Sequence, residues 1–168
     1  MKITILNGSP KKDDLLAETT ASVYEKLTAA GAEVKEYFLY YMNIKGCINC
    51  GVTRPDDELK LLTDEFISSD VVIFASPLYR WTLSGSLNIF MEEMFQLCKF
   101  DMKTGEMTEG KRSVGIVSAD ADADEGEASK TLRAFSDNLD MIYEGTLMVS
   151  PDDDKEKISR FTEMIMKN

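Results

Sequence analysis

Residues 3–27, ITILNGSPKKDDLLAETTASVYEKL, carry a short β-branched apolar segment into Gly8, Ser9 and Pro10 and then into an amphipathic pattern. Leu16, Val23 and Leu27 fall on one face at a 3.6-residue period, which predicts a helix opening near Asp13 or Asp14. This strand, tight loop and helix form the unit that the rest of the chain repeats. Further apolar runs stand at 34–39, 71–75, 114–117 and 143–149. Helical faces lie between and after them: Leu59, Leu62 and Phe66, then Leu87, Phe90, Met91 and Met94, then Leu132, Phe135 and Leu139, then Ile158, Phe161 and Ile165. Five β-α units in strict alternation predict right-handed crossovers and a parallel sheet covered on both faces. The fold expected is an α/β three-layer sandwich, with a five-stranded parallel sheet of order 2-1-3-4-5 and helices on both faces. In that order the topological switch point lies between strands one and three, so ligands collect at their carboxyl ends. Those ends are NGSPKK and SPLYRW.

Composition narrows the function. A chain of 168 residues with 43% hydrophobic content supports a single domain over 1–168, and neither a repeat nor a low-complexity linker divides it. Nineteen Lys and Arg against 30 Asp and Glu give a net charge of -11, which disfavours a nucleic-acid partner. No apolar run approaches the roughly 20 residues that span a bilayer, and the opening segment is too short for a signal peptide. A cytoplasmic setting with no membrane partner is expected. Three cysteines, Cys47, Cys50 and Cys98, are too few for a disulfide framework. Histidine is absent, so Ser-His-Asp and Cys-His catalysis within the chain are excluded, and a cofactor is expected to carry any chemistry.

Two loops are candidates for holding it. In the first, the amides and dipole of a helix N-terminus, the Ser9 hydroxyl and the charges of Lys11 and Lys12 would suit an anion. An alternative for the same segment is that Asp13 or Asp14 simply caps the helix. In the second, ASPLYRWTLSGSLNIFMEEMF at 75–95, Tyr79 and Trp81 could wall a planar heterocycle while the amides after Pro77 act as donors. The competing use of those aromatics is packing against a partner chain or over the core. A third loop, SADADADEGEASK, spaces Asp120, Asp122 and Asp124 like the first half of an EF-hand but has Glu125 and Thr131 where Gly and Glu are required, so a solvated acidic loop is expected.

ITILNGSPKK, NIKGCINCG and SPLYRWTLSGSLNIFME, in this order and spacing, resemble the NADPH-dependent FMN reductase and iron-sulfur flavoprotein families of flavodoxin-like proteins. The resemblance implies FMN at the switch point, NAD(P)H as co-substrate, a small-molecule or protein electron acceptor, and a homodimer. Carried over residue by residue, it implies Ser9, Lys11 and Lys12 at the phosphate, Pro77, Leu78, Tyr79, Arg80 and Trp81 around the ring, and Ser118, Ala119 and Asp120 at its far edge. No side chain is required as a catalytic acid or base. The family's side-chain donors after the loop are replaced by Asp13, Asp14, Leu15 and Leu16, and only Cys47 and Cys50 remain of a four-cysteine cluster motif. Those two cysteines are expected to be a structural remnant, with no metal bound. A flavodoxin-like electron carrier, or a module that has lost productive FMN binding, are the alternatives.

Overall fold

The computed structural model describes residues 1–46, 58–100, 106–119, 125–151 and 155–167. Strand β1 (Lys2–Asn7) leads into helix α1 (Leu15–Ala29), β2 (Glu33–Phe38) and a 3-10 turn (Leu39–Tyr41). Helix α2 (Leu59–Ser68), β3 (Val71–Tyr79), a short β4 (Thr82–Leu83) and α3 (Gly85–Phe100) follow. The chain continues through β5 (Arg112–Ala119), α4 (Glu125–Asn138), β6 (Ile142–Val149) and α5 (Lys155–Met166). The five long strands are parallel in the order β2-β1-β3-β5-β6, which is the flavodoxin-like arrangement expected from the alternation of elements.

Period-two alternation along the strands sorts side chains to the two faces. Ile3, Ile5 and Ile73 point into one core layer with Leu16, Val23 and Leu27 of α1 and Phe161 and Ile165 of α5. Leu6, Val72 and Phe74 point into the other, with Leu62 and Phe66 of α2, Phe90 of α3 and Leu132 and Phe135 of α4. In that second layer Phe66 meets Phe90 edge-on with ring centroids 5.9 Å apart, and Phe74 meets Phe135 edge-on at 5.5 Å. Central β3 is buried from Val71 through Leu78, as befits a strand covered on both sides.

The structure departs from the sequence reading at the end of β3. The sheet has a sixth strand, because β3 runs on past Pro77 to Tyr79 and then turns back into antiparallel β4. Pairing of β1 with β3 stops at Asn7↔Ala75, whereas β5 stays in register as far as Leu78↔Ala119. Beyond Ala75 the strand therefore has lost its β1 neighbour, and proline is tolerated in a sheet where no neighbour requires its missing N–H.

The amino ends of the strands are tied by charged side chains. Arg112 forks onto Glu144, Nε to Oε1 at 2.7 Å and Nη2 to Oε2 at 2.8 Å, and donates through Nη1 to the Ile165 carbonyl at the end of α5. Lys111 donates to the carbonyls of Ile67 and Ser69, closing the carboxyl end of α2.

Candidate functional site at the switch point

The loop after β1 is held from below by a buried amide. Asn7 is fully buried, and its Nδ2 donates to Glu36 Oε1 at 2.9 Å and to Thr20 Oγ1 at 3.3 Å. Its Oδ1 accepts the N–H of Ser9 at 2.9 Å, a local turn of the kind asparagine favours. Gly8 donates its N–H to the Ala75 carbonyl at 2.8 Å, carrying the β1–β3 contact one residue beyond the ladder. A Cβ on Gly8 would stand 2.2 Å from Ser84 Oγ, so glycine is needed for the first loop to lie against the head of α3.

The head of α1 is closed by Asp14. Its Oδ1 accepts the Ala17 N–H at 2.8 Å, the bond of an N-cap, and its Oδ2 accepts from the Ser9 hydroxyl at 2.7 Å. Ser9 Oγ also accepts the Lys11 N–H at 3.1 Å. Of the two uses open to the aspartates, capping is the one that Asp14 fulfils, while Asp13 is exposed. Lys11 is exposed, and Lys12 leans over the end of β2 with Nζ 4.5 Å above the Tyr41 ring and 5.3 Å above that of Phe38. The Tyr41 hydroxyl donates to the Pro10 carbonyl at 2.8 Å, joining the 3-10 turn to the same loop.

The second loop is a hairpin rather than an open coil. Arg80 takes φ 56°, and the Trp81 N–H returns to the Tyr79 carbonyl at 2.6 Å, giving a tight three-residue turn of the rarer positive-φ type. A left-handed arginine costs of order 1 kcal/mol relative to glycine, so the surroundings hold this turn against its own preference. Part of the holding comes from α3, where Asn88 Nδ2 donates to Thr82 Oγ1 at 3.0 Å and to the Leu83 carbonyl at 2.9 Å. Ser84 caps α3 by accepting the Leu87 N–H at 3.3 Å, and its own N–H donates to Ser76 Oγ at 2.8 Å. Ser86 Oγ reaches the Gly8 carbonyl at 3.2 Å, so the two loops meet at the first turn of α3.

Among the residues singled out from the sequence, Tyr79 (51% exposed) and Trp81 (78% exposed) present bare rings at the hairpin tip, with the Arg80 guanidinium 5.9 Å above the Trp81 ring. Pro77 and Leu78 are buried, the Leu78 side chain belongs to the core, and their backbone is paired with β5 and, at Leu78, also with β4, while the Pro77 carbonyl accepts from the Ser76 hydroxyl at 2.8 Å. Ser118 and Ala119 are half-buried at the end of β5, paired in register with Pro77 and Leu78. Asp120, Asp122, Asp124, Cys47 and Cys50 lie outside the described residues. Sequence reasoning missed Asn7, Ser76, Ser84 and Ser86, the polar groups that fix both loops. The available signal was a polar residue directly after each of two largely apolar, β-branched-rich strand segments, Asn7 after Leu6 and Ser76 after Ala75. No described helix is long and apolar enough to cross a membrane.

Residues 1–154 match the family model described as NADPH-dependent FMN reductase. An iron-sulfur flavoprotein of Archaeoglobus fulgidus is 32% identical over 103 residues, covering 56% of this chain and 46% of its own length. Another, from Clostridioides difficile, is 27% identical over 101 residues, covering 55% of this chain and 45% of its own. The matched regions thus span less than half of either relative. Among solved structures, an apo NADH:FMN oxidoreductase superimposes with a TM-score of 0.70 at 17% identity, covering 98% of this chain and 86% of that one, a likeness of fold.

Proposed function

Because the chain belongs to the NADPH-dependent FMN reductase family, we propose that it binds FMN at the junction of the β1 and β3 loops and works as an NAD(P)H-dependent oxidoreductase. The observation that carries this reading is the extent of the family match, which runs from β1 through β6 and so includes both loops of the switch point. The family assignment supports FMN as cofactor and NAD(P)H as co-substrate. When bound, FMN supplies the exchange of two electrons with a nicotinamide, and the protein supplies position and electrostatics.

The residues present fit the ring end of such a ligand. Tyr79 and Trp81 offer apolar area on a hairpin braced by α3, next to the end of β5 where Ser118 and Ala119 pair with Pro77 and Leu78. We assign Pro77, Leu78, Tyr79, Arg80 and Trp81 to the ring, with Ser118, Ala119 and Asp120 at its far edge, and Ser9, Lys11 and Lys12 to the tail. Arg80, always charged, would meet the carbonyl oxygens at the pyrimidine end of the ring or hold an anionic group of the nicotinamide donor. The fit at the tail is poor, since the Ser9 hydroxyl and the Ala17 amide are already engaged by Asp14. The proposal extends to one domain over 1–168, a homodimer in the cytoplasm, and a small-molecule or protein electron acceptor.

The deciding experiment is an anaerobic titration of the purified protein with FMN, followed by NADPH and then NADH. Saturable binding and bleaching of the flavin absorbance by either nucleotide are the expected results. Binding without bleaching would make the protein an electron carrier, and absence of flavin binding at any accessible concentration would refute the reading.

A further inference from the structure

We propose that the Asp14 carboxylate occupies the place a flavin phosphate would take, so that this chain selects flavins by their ring and binds riboflavin at least as tightly as FMN. The inference rests on the flavin reading above and concerns which flavin the site prefers. Ser9 is fully buried, and its single hydroxyl proton is directed to Asp14 Oδ2 at 2.7 Å, while the oxygen accepts the Lys11 N–H. The amide of the third residue of α1, Ala17, is spent on Asp14 Oδ1 at 2.8 Å. Of the two lysines in the loop, Lys11 is exposed, and Lys12 lies over Tyr41 and Phe38, with Tyr41 itself anchored to Pro10. The loop thus already contains its anion. A phosphate monoester, carrying about -1.5 to -2 at neutral pH, would have to displace that carboxylate or stand beside it. Nothing in this arrangement touches the hairpin that meets the ring, so a flavin without the phosphate meets no such penalty.

The charge is separable from the cap. Serine and asparagine cap helices about as well as aspartate, so Asp14→Ser removes the charge and opens space beside the Ser9 hydroxyl, and Asp14→Asn removes the charge alone. Dissociation constants for riboflavin and FMN are measured by flavin fluorescence for the wild type and both variants. Wild type is expected to bind riboflavin as well as or better than FMN. Asp14→Ser should tighten FMN by about tenfold or more and leave riboflavin within about twofold, with Asp14→Asn shifting the same way by less. FMN binding by Asp14→Ser together with none by wild type would also uphold the proposal. A wild-type preference for FMN of about tenfold or more, or an unchanged FMN-to-riboflavin ratio in Asp14→Ser, would overturn it. Silence of both flavins with all three proteins would instead bring down the flavin reading and this preference with it, and the riboflavin arm makes that failure recognisable.

Discussion

Replacing Gly8 with alanine tests the contact on which the two loops depend. The new methyl group would stand 2.2 Å from Ser84 Oγ, the cap of α3, and 3.1 Å from Leu87 Cβ in its first turn. Ser84 Oγ cannot swing away freely, because it accepts the Leu87 N–H that caps the helix. Overpacking of this kind costs about 1–3 kcal/mol, and loss of a serine cap adds about 1 kcal/mol, for about 2–4 kcal/mol together. At about 2–4 °C per kcal/mol for a chain of this size, the melting temperature should fall by about 4–16 °C. Urea denaturation of Gly8→Ala, Ser84→Gly and the double variant separates the two terms. Glycine costs an N-cap only a few tenths of a kcal/mol, so Ser84→Gly removes the obstructing oxygen cheaply, and the double variant should recover most of the loss. A Gly8→Ala protein within about 0.5 kcal/mol of wild type, or a double variant no better than the single, would show that the loop does not rest on α3.

Two further tests concern the frame. Arg112→Met strands the Glu144 carboxylate, which is only 14% exposed, and frees the Ile165 carbonyl, so stability measured by urea denaturation should fall by about 2–4 kcal/mol, and Arg112→Met with Glu144→Met should regain much of it. A loss under about 1 kcal/mol for the single variant would mean that the pair is solvated in solution. At alkaline pH the Glu65 hydrogen bond holds the Lys35 ammonium above its ordinary 10.5, and burial followed by the Glu65 charge pushes the Tyr37 phenol above 10.0. In both cases the folded chain keeps a proton that the unfolded chain releases, so their stabilisation is complete below about pH 10 and is lost as pH rises through the folded values. Burial lowers Lys111 below 10.5, with the opposite sign: the unfolded chain binds the extra proton, so stability rises with pH in the window just below 10.5. Melting temperatures from pH 7 to 11 should therefore fall less steeply above pH 10 in Lys35→Met, and the rise below it should flatten in Lys111→Met; unchanged profiles would contradict both assignments.

The alternation of apolar strands and amphipathic helices was enough to place the five parallel strands, because buried parallel strands are written as near-continuous apolar runs such as 71–75. The reversal at Arg80 was not legible, since a positive φ is written in sequence as glycine or asparagine and here falls on an arginine held by tertiary contacts. Proline at 77 misled for a related reason. It marks the end of a strand only where a neighbour needs its N–H, and β1 has already departed by Ala75. At the first loop the sequence showed two aspartates in an otherwise suitable anion site, while the distinction between an outward Asp13 and an inward Asp14 depends on the Ser9 side chain meeting it across five residues. Polar anchors such as Asn7 and Ser86 escaped because their partners, Glu36 and the Gly8 carbonyl, are distant in the chain and joined only by folding.

The single guanidinium of Arg112 meets the first and nearly the last residues described: its Nη1 lies 3.9 Å from Met1 Sδ and 3.0 Å from the Ile165 carbonyl. Met1 and the carboxyl end of α5 therefore lie together at the amino edge of the sheet, on the far side from the hairpin and the head of α1. A fluorescent protein, affinity tag or tethering linker joined next to either of them would leave from that pole. Surface immobilisation through such a tag would present the switch-point loops outward to solution, the orientation that a sensor for flavin exchange requires.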